Sequence, residues 1–287
     1  MKAKKLVTAM SAALLSTAAF SAGHYVPGVE GIQAATVPPP GIYYLGYVLN
    51  YNIDKISGVP GRSTGSVTAL ANRFVWITKQ KFLGANYGVE AIAPLQTTSL
   101  NLGGNGFDKK GLGDIFVSPL ILAWHGQNWD AVATVGEWLK NGSFSATNPA
   151  SVGKGFRSTM YTLGGTFYPD SQKEWSLSVL ARYETNGKQD DTRITPGDGL
   201  SIEWGIGKQI GGGKQLGLVG YHQRQTTKDR GPGASPFKPS KSAVGIQFDY
   251  PILERGMFLK FAAYKEFSAD ETAAEGKLFR LSIIKAF

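Results

Sequence analysis

The sequence predicts an all-β fold, a transmembrane, antiparallel, up-and-down β-barrel of about 12 strands. Three observations predict it. Apolar and polar residues alternate with period two in segment after segment, as at the C-terminus, where Phe279, Leu281, Ile283 and Phe287 are interleaved with Arg280 and Ser282. Long and short intervals between strand starts alternate along the chain, which suits a barrel with short periplasmic turns and long extracellular loops and has no cause in a soluble sandwich. After the extreme N-terminus no apolar run reaches the length of about 18 residues that a membrane-crossing helix needs, which excludes a helical membrane protein.

Residues 1–23 carry the three parts of a secretory signal. Lys2, Lys4 and Lys5 form the charged start, Leu6 to Phe20 the apolar stretch, and Ala19, Ser21, Ala22 and Gly23 the small residues around the cut, which falls within residues 21–24. Without those lysines the formal charge falls from +9 to about +6, too small an excess to argue for nucleic acid. Cysteine is absent, as suits an oxidising compartment.

Residues 24–40 read as a periplasmic N-terminal arm with little periodicity, ending in the stiff run Pro38, Pro39, Pro40. Tyr25, Val26, Val29 and Ile32 are apolar enough to favour partial burial, so residues 24–37 are expected to fold back into or across the periplasmic opening and restrict it. A disordered periplasmic tail is the alternative of equal weight, since termini are usually loose unless tied down. Residues 41–287 then form the barrel. Strands are expected to start near residues 41, 65, 83, 111, 128, 155, 174, 199, 214, 240, 256 and 276. Short turns are expected near Lys81, Gly126, Asp170, Gly212 and Leu253, and long loops around Gly58, Gly104, Ser145, Asp190, Gly233 and Asp270.

The first strand has the clearest alternation. Tyr43, Leu45, Tyr47, Leu49, Tyr51 and Ile53 are expected to face lipid, with Asn50 and Asn52 opposite them. Strand two fits one register only with a bulge near Asn72 and Arg73 that turns both inward. The strand from residue 214 stays ambiguous, because Leu216 and Leu218 compete with Val219 and Tyr221. Elsewhere the faces separate. Tyr87, Val89, Ala91 and Leu95, then Trp175, Leu177, Val179, Ala181 and Tyr183, then Leu200, Ile202, Trp204 and Ile206, then Val244, Ile246, Phe248 and Tyr250 face outward. Tyr43, Trp129, Trp175, Tyr250 and Phe287 are placed at the periplasmic interface, and Tyr51, Phe156 and Tyr183 at the outer one.

The inward set supplies the candidate lumen lining: Asn50, Asn52, Arg73, Glu90, Asp114, Arg182, Glu184, Glu203, Asp249, Lys260, Glu266 and Arg280. Charge facing acyl chains is costly, so these side chains must point inward, and their mixed signs can pair across strands in a wet interior. A barrel of about 12 strands has a backbone radius of roughly 12 Å, leaving a passage about 10 Å across unless something enters it. No catalytic constellation, metal site or cofactor motif is read. His222 with Ser242 or Ser158 lacks a framing motif. Asp190, Asp191 and Asp198 read as a solvated loop more readily than as a weak calcium site. Gly211-Gly212-Gly213-Lys214 has no following helix and reads as a turn.

Several short motifs resemble a family of outer-membrane proteins named for the meta-pathway of phenol degradation and described as transporters. They are His24-Tyr25, Pro27-Gly28, Pro38-Pro39-Pro40-Gly41, Gly113-Asp114-Ile115, Gly164-Gly165, Asn186-Gly187 and Gly217 through Tyr221. The resemblance spans nearly the whole mature chain and implies uptake of aromatic or other hydrophobic small molecules, without naming binding residues. The terminal strand also resembles the C-terminal signature of bacterial outer-membrane proteins, departing from it at Lys285, where an aromatic is usual. That implies recognition of the strand ending at Phe287 by the barrel-assembly machinery. The expected protein is a monomeric channel in the cell outer membrane, exported by its signal. Its partners are membrane lipids and a small solute, without nucleic acid. The alternative is a structural or surface-interaction barrel with a closed lumen.

Overall fold

The computed structural model describes residues 23–57, 61–270 and 273–287. The expected signal before Gly23 and the loop centre expected at Gly58 lie outside the described residues. The strands are β1 (Gly41–Ile56), β2 (Thr64–Phe82), β3 (Ala85–Leu102), β4 (Asn105–Leu112), β5 (Phe116–His125), β6 (Trp129–Trp138), β7 (Ser158–Phe167), β8 (Trp175–Asn186), β9 (Gly199–Gln209), β10 (Gln215–Gln225), β11 (Ser240–Ile252), β12 (Met257–Asp270) and β13 (Ala274–Ala286).

Every pairing between named strands is antiparallel, and β1 joins β13 from Tyr43↔Ala286 to Ile56↔Ala274, closing the sheet into a barrel. Closure removes the exposed edges that a sheet could not leave in lipid. The second edge of β3 is shared: β4 covers Leu95–Leu102 and β5 covers residues 86–92. The two strands are therefore halves of one stave, and the closed wall has 12 positions. The stave expected near residue 111 is interrupted at Gly113-Asp114-Ile115. Gly113 N–H donates to Pro94 O at 2.8 Å, while Asp114 turns inward and accepts from the N–H groups of Gly142 and Lys154, both at 2.7 Å.

Turns follow local chemistry. The β9–β10 turn uses Gly211, Gly212 and Gly213 at φ 90°, 59° and 71°, the left-handed region that glycine enters without steric cost. The connection expected as a long loop at Gly104 is instead a tight hairpin, with Gly103 and Gly104 at φ 58° and 93°. The link expected as long near Asp270 is short, since β12 ends there and β13 begins at Ala274. Long loops remain at 139–157, 187–198 and 226–239.

The outward face is an apolar belt that includes Leu70, Phe74, Trp76, Leu163, Val179, Ile246 and Phe279. Trp129, Trp175, Tyr250 and Phe287 lie exposed near the short-turn end. In β1, however, the inward and outward sets are exchanged relative to expectation. Ile42 and Val48 are exposed, whereas Tyr43, Tyr47, Leu49, Tyr51 and Ile53 are buried. Tyr43 and Tyr51 therefore leave the predicted aromatic girdles, as does Phe156, which is buried. β2 pairs with β1 without a slip, so no bulge occurs near Asn72. Val67, Ala69, Ala71 and Arg73 line a cavity, while Asn72 faces out and accepts from Tyr44 Oη at 2.8 Å. In β10, Val219 and Tyr221 face inward and Leu216 and Leu218 outward.

Candidate functional site

The lumen contains the chain's own N-terminal arm. Tracing back from β1, Tyr43 Oη donates to Pro39 O at 2.7 Å near the short-turn end. Thr36 Oγ1 meets Tyr168 Oη at 3.0 Å, Ala34 N–H donates to Ser178 Oγ at 3.2 Å, and Ile32 N–H to Gln247 Oε1 at 3.3 Å. Higher still, the N–H groups of Gly28 and Glu30 share Glu203 Oε2 at 2.9 and 3.2 Å. The N–H groups of His24 and Tyr25 donate to the two oxygens of Glu184, each at 2.9 Å, two residues from the loop end of β8. The arm thus climbs from one end of the barrel to the other instead of resting at the periplasmic mouth. Buried backbone N–H groups must find acceptors, and this irregular segment finds them on inward side chains of the wall.

Inward glycines give it room. A Cβ at Gly205 would stand 2.6 Å from Gly31 O, and one at Gly207 2.4 Å from Ile32 Cγ2. Gly31 itself has φ 76°, and a Cβ there would meet Gln247 Oε1 at 1.8 Å. These contacts leave a groove one backbone wide.

Two charged knots hold the arm. At the loop end, His24 Nδ1 lies 2.7 Å from Ser158 Oγ and Nε2 3.1 Å from Asp114 Oδ2. Its ring stacks on Trp138 at 5.4 Å and meets Phe156 edge-on at 4.9 Å. Burial works against the charged imidazole, but the hydrogen bonds and charges of Asp114 and Glu184 raise the His24 pKa above its ordinary value. Burial likewise opposes the Asp114 carboxylate, yet the bonds from His24, Lys154 N–H and Gly142 N–H hold its pKa below the usual one. Serine, histidine and aspartate meet here, but Ser158 is 1% exposed and its hydroxyl proton is committed to Asn186 Oδ1 at 2.8 Å.

Midway, Glu30 Oε1 sits between Arg182 Nη2 at 2.7 Å and Arg73 Nη1 at 3.1 Å. Arg73 Nε is held by Glu90 at 2.5 Å, and Arg182 Nη1 reaches Tyr25 Oη at 2.6 Å and Glu203 Oε1 at 3.5 Å. Tyr25 Oη also donates to Glu203. Arg280 donates to Gly28 O at 2.9 Å and to Gln247 Oε1 at 2.5 Å. Glu30, Arg73, Glu90 and Arg182 border both of two cavities, so this knot is the septum between them. The cavity towards the loop end has a volume of about 220 Å³ and apolar walls including Tyr47, Val67, Ile92 and Phe116. The one towards the short-turn end has about 300 Å³.

Of the sequence-derived candidates, Arg73, Glu90, Arg182 and Glu203 meet at the septum, and Asp114 and Glu184 meet on His24. Asp249 pairs with Lys260 at 3.4 Å. Glu266 accepts from Tyr51 Oη, Tyr221 Oη and Lys241 Nζ at 2.6, 2.7 and 2.9 Å. Asn50 and Asn52 are corrected: they lie on the outward face, where Asn50 Nδ2 donates to Thr68 Oγ1 at 3.0 Å and Asn52 Nδ2 to Asn50 Oδ1 at 2.6 Å. The physical reason is that β1 has apolar surroundings on both sides, lipid outside and cavity inside, so the large apolar set does not identify the lipid face. Sequence reading missed His24, Tyr25 and Glu30 as site residues. Glu30 carried a usable signal, being the sole acidic residue of the arm. His222 bonds Ser242 Oγ at 2.9 Å, and Asp190 pairs with Lys140 at 2.9 Å. Among the described residues no group of three or more metal-ligating side chains converges.

The fold is shared with solved outer-membrane barrels. An outer-membrane channel from Pseudomonas putida F1 superposes with a TM-score of 0.76 at 12% identity, covering 92% of this chain and all of that one. The translocator domain of the autotransporter NalP from Neisseria meningitidis gives 0.54 at 10% identity, covering 87% of this chain and 90% of that one. The β domain of the Bordetella autotransporter BrkA gives 0.52 at 13% identity, with 87% and 100% coverage. No curated protein matches in sequence. A family model matches residues 45–281, from β1 into β13 and beginning after the arm. The chain belongs to the family described as "Putative MetA-pathway of phenol degradation".

Proposed function

We propose that the protein is a monomeric outer-membrane channel for uptake of small hydrophobic or aromatic molecules, exported by its N-terminal signal, with the arm as an internal constriction. The observation that carries this reading is the apolar, aromatic-walled cavity of about 220 Å³ above a charged septum in the lumen of a closed barrel. Cavities of about 150 Å³ with apolar walls accept benzene, so a single substituted ring is the scale of solute that fits. The long-loop end is extracellular and the short-turn end periplasmic. Phe287, whose N–H donates to Ile42 O at 3.0 Å while its ring stays exposed, is available to the assembly machinery. Lys285 at the departed position donates to Arg255 O.

The test is deletion of residues 24–36 behind an intact signal, with conductance measured in planar bilayers. The deletion is expected to conduct more and to discriminate less, with the barrel still folded. Silence of both intact and deleted chains, with no solute flux into liposomes, would remove the channel reading. It would favour the closed structural barrel, for which the extensive bonding of the arm is the supporting observation.

A further inference from the structure

We infer that Arg73 and Arg182 form a receptor for the carboxylate of a monoanionic aromatic solute, and that Glu30 occupies it as an internal surrogate. The inference rests on the channel reading and names the solute class. Glu30 reaches both guanidinium groups through a single oxygen, Oε1, at 2.7 and 3.1 Å. Among the described residues Arg182 Nε, buried beside it, has no hydrogen-bond partner. Guanidinium groups prefer to meet carboxylates through two parallel bonds, which a freely orienting carboxylate could form and the tethered Glu30 does not. The site opens on the aromatic cavity, so a molecule entering from the loop end can place its ring against Tyr47 and its charge on Arg73.

Charge balance decides which solutes can pass. The knot holds Arg73, Arg182 and Arg280 against Glu30, Glu90 and Glu203, and is formally neutral. A solute can pass the septum only if Glu30 leaves it. A neutral solute would then face an uncompensated guanidinium in a water-poor lumen, the costly half of a broken buried ion pair. A monoanion restores the balance as Glu30 departs. The same septum that blocks the lumen therefore favours an aromatic carboxylate over its neutral analogue.

Benzoate and its neutral isostere benzamide test this by calorimetric titration into the detergent-purified chain. Heat-modifiable gel migration confirms the folded barrel in each variant. Benzoate is expected to bind about tenfold tighter than benzamide, the scale of one modest charge interaction. Glu30→Gln should raise benzoate affinity by about tenfold, because the internal competitor has lost its charge. Arg73→Gln should abolish the preference for benzoate. Both variants loosen the arm, so a merely structural role would move them in the same direction. Equal binding of benzoate and benzamide, or no gain in Glu30→Gln, would overturn the receptor. These outcomes are separable from failure of the channel itself, which is read from the bilayer conductance of the arm-deleted chain.

Discussion

In the arc from β8 to β11 the inward face carries Arg182, Glu184, Glu203, Gln247 and three glycines, and the arm's backbone lies directly against it. In the arc of β1 and β2 the inward face carries Tyr47, Leu49, Val67, Ala69 and Ala71 and borders an open cavity. The same barrel wall thus meets two different interiors. Where it faces a peptide backbone it supplies acceptors and space, and the alternation of oily and polar residues is clean. Where it faces an apolar cavity both sides are apolar, and alternation loses its meaning. The first arc holds the arm, and the second leaves room for a solute.

The largest effect that could break this comparison comes from charge placed on the lipid face. Arg at Val179 in β8, or at Val48 in β1, should each cost about 2–4 kcal/mol in reversible refolding into lipid. Both residues are exposed on the outer wall. An unpenalised Val48→Arg alongside a penalised Val179→Arg would restore the opposite facing of β1. Ser178 is not a neutral control, since its Oγ accepts from Ala34 N–H at 3.2 Å. Arg there should expel the arm while sparing the barrel.

A smaller effect is expected from filling the groove. Gly207→Ala places a methyl group against Ile32, and overpacking of that kind costs about 1–3 kcal/mol. Here the loss falls on docking of the arm, so limited proteolysis of the arm and bilayer conductance should both rise with barrel stability unchanged. An arm as protected as in the unaltered chain would mean that the groove is not shaped by Ile32.

pH provides a graded version of the same test. His24 has a raised pKa, so its contribution to docking is fully present below the unfolded value of about 6.5 and is lost as pH rises through the raised one. Asp114 has a lowered pKa, so its contribution is present above the unfolded value of about 3.9 and is lost as pH falls through the lowered one. Docking should be strongest between these limits, and conductance should grow on the alkaline side. His24→Gln should remove that alkaline rise. Its persistence in the variant would assign it to another group.

The smallest effect is expected at Asn50 and Asn52. Alanine at either should change stability by no more than about 0.5 kcal/mol and leave conductance unaltered, because both lie on the outward face. A marked change in conductance would return them to the lumen.

Period two, turn glycines and the placement of Val179 against Arg182 were enough to read a barrel of 12 positions, because lipid and backbone geometry act on each strand locally. Ten of the 12 expected starts fall within two residues of a strand start, and 41, 199 and 240 coincide. The interrupted stave at Asp114 was not legible, since its cause is the N–H groups of Gly142 and Lys154, far along the chain. Nor was the facing of β1, whose alternation is sharp but whose two environments are both apolar. The path of the arm was decided by contacts such as His24 with Glu184, 160 positions apart. No local pattern encodes such a pairing. Only closure of the barrel brings Glu184, Glu203, Arg73 and Arg182 around one segment, and only there do scattered inward charges become a site.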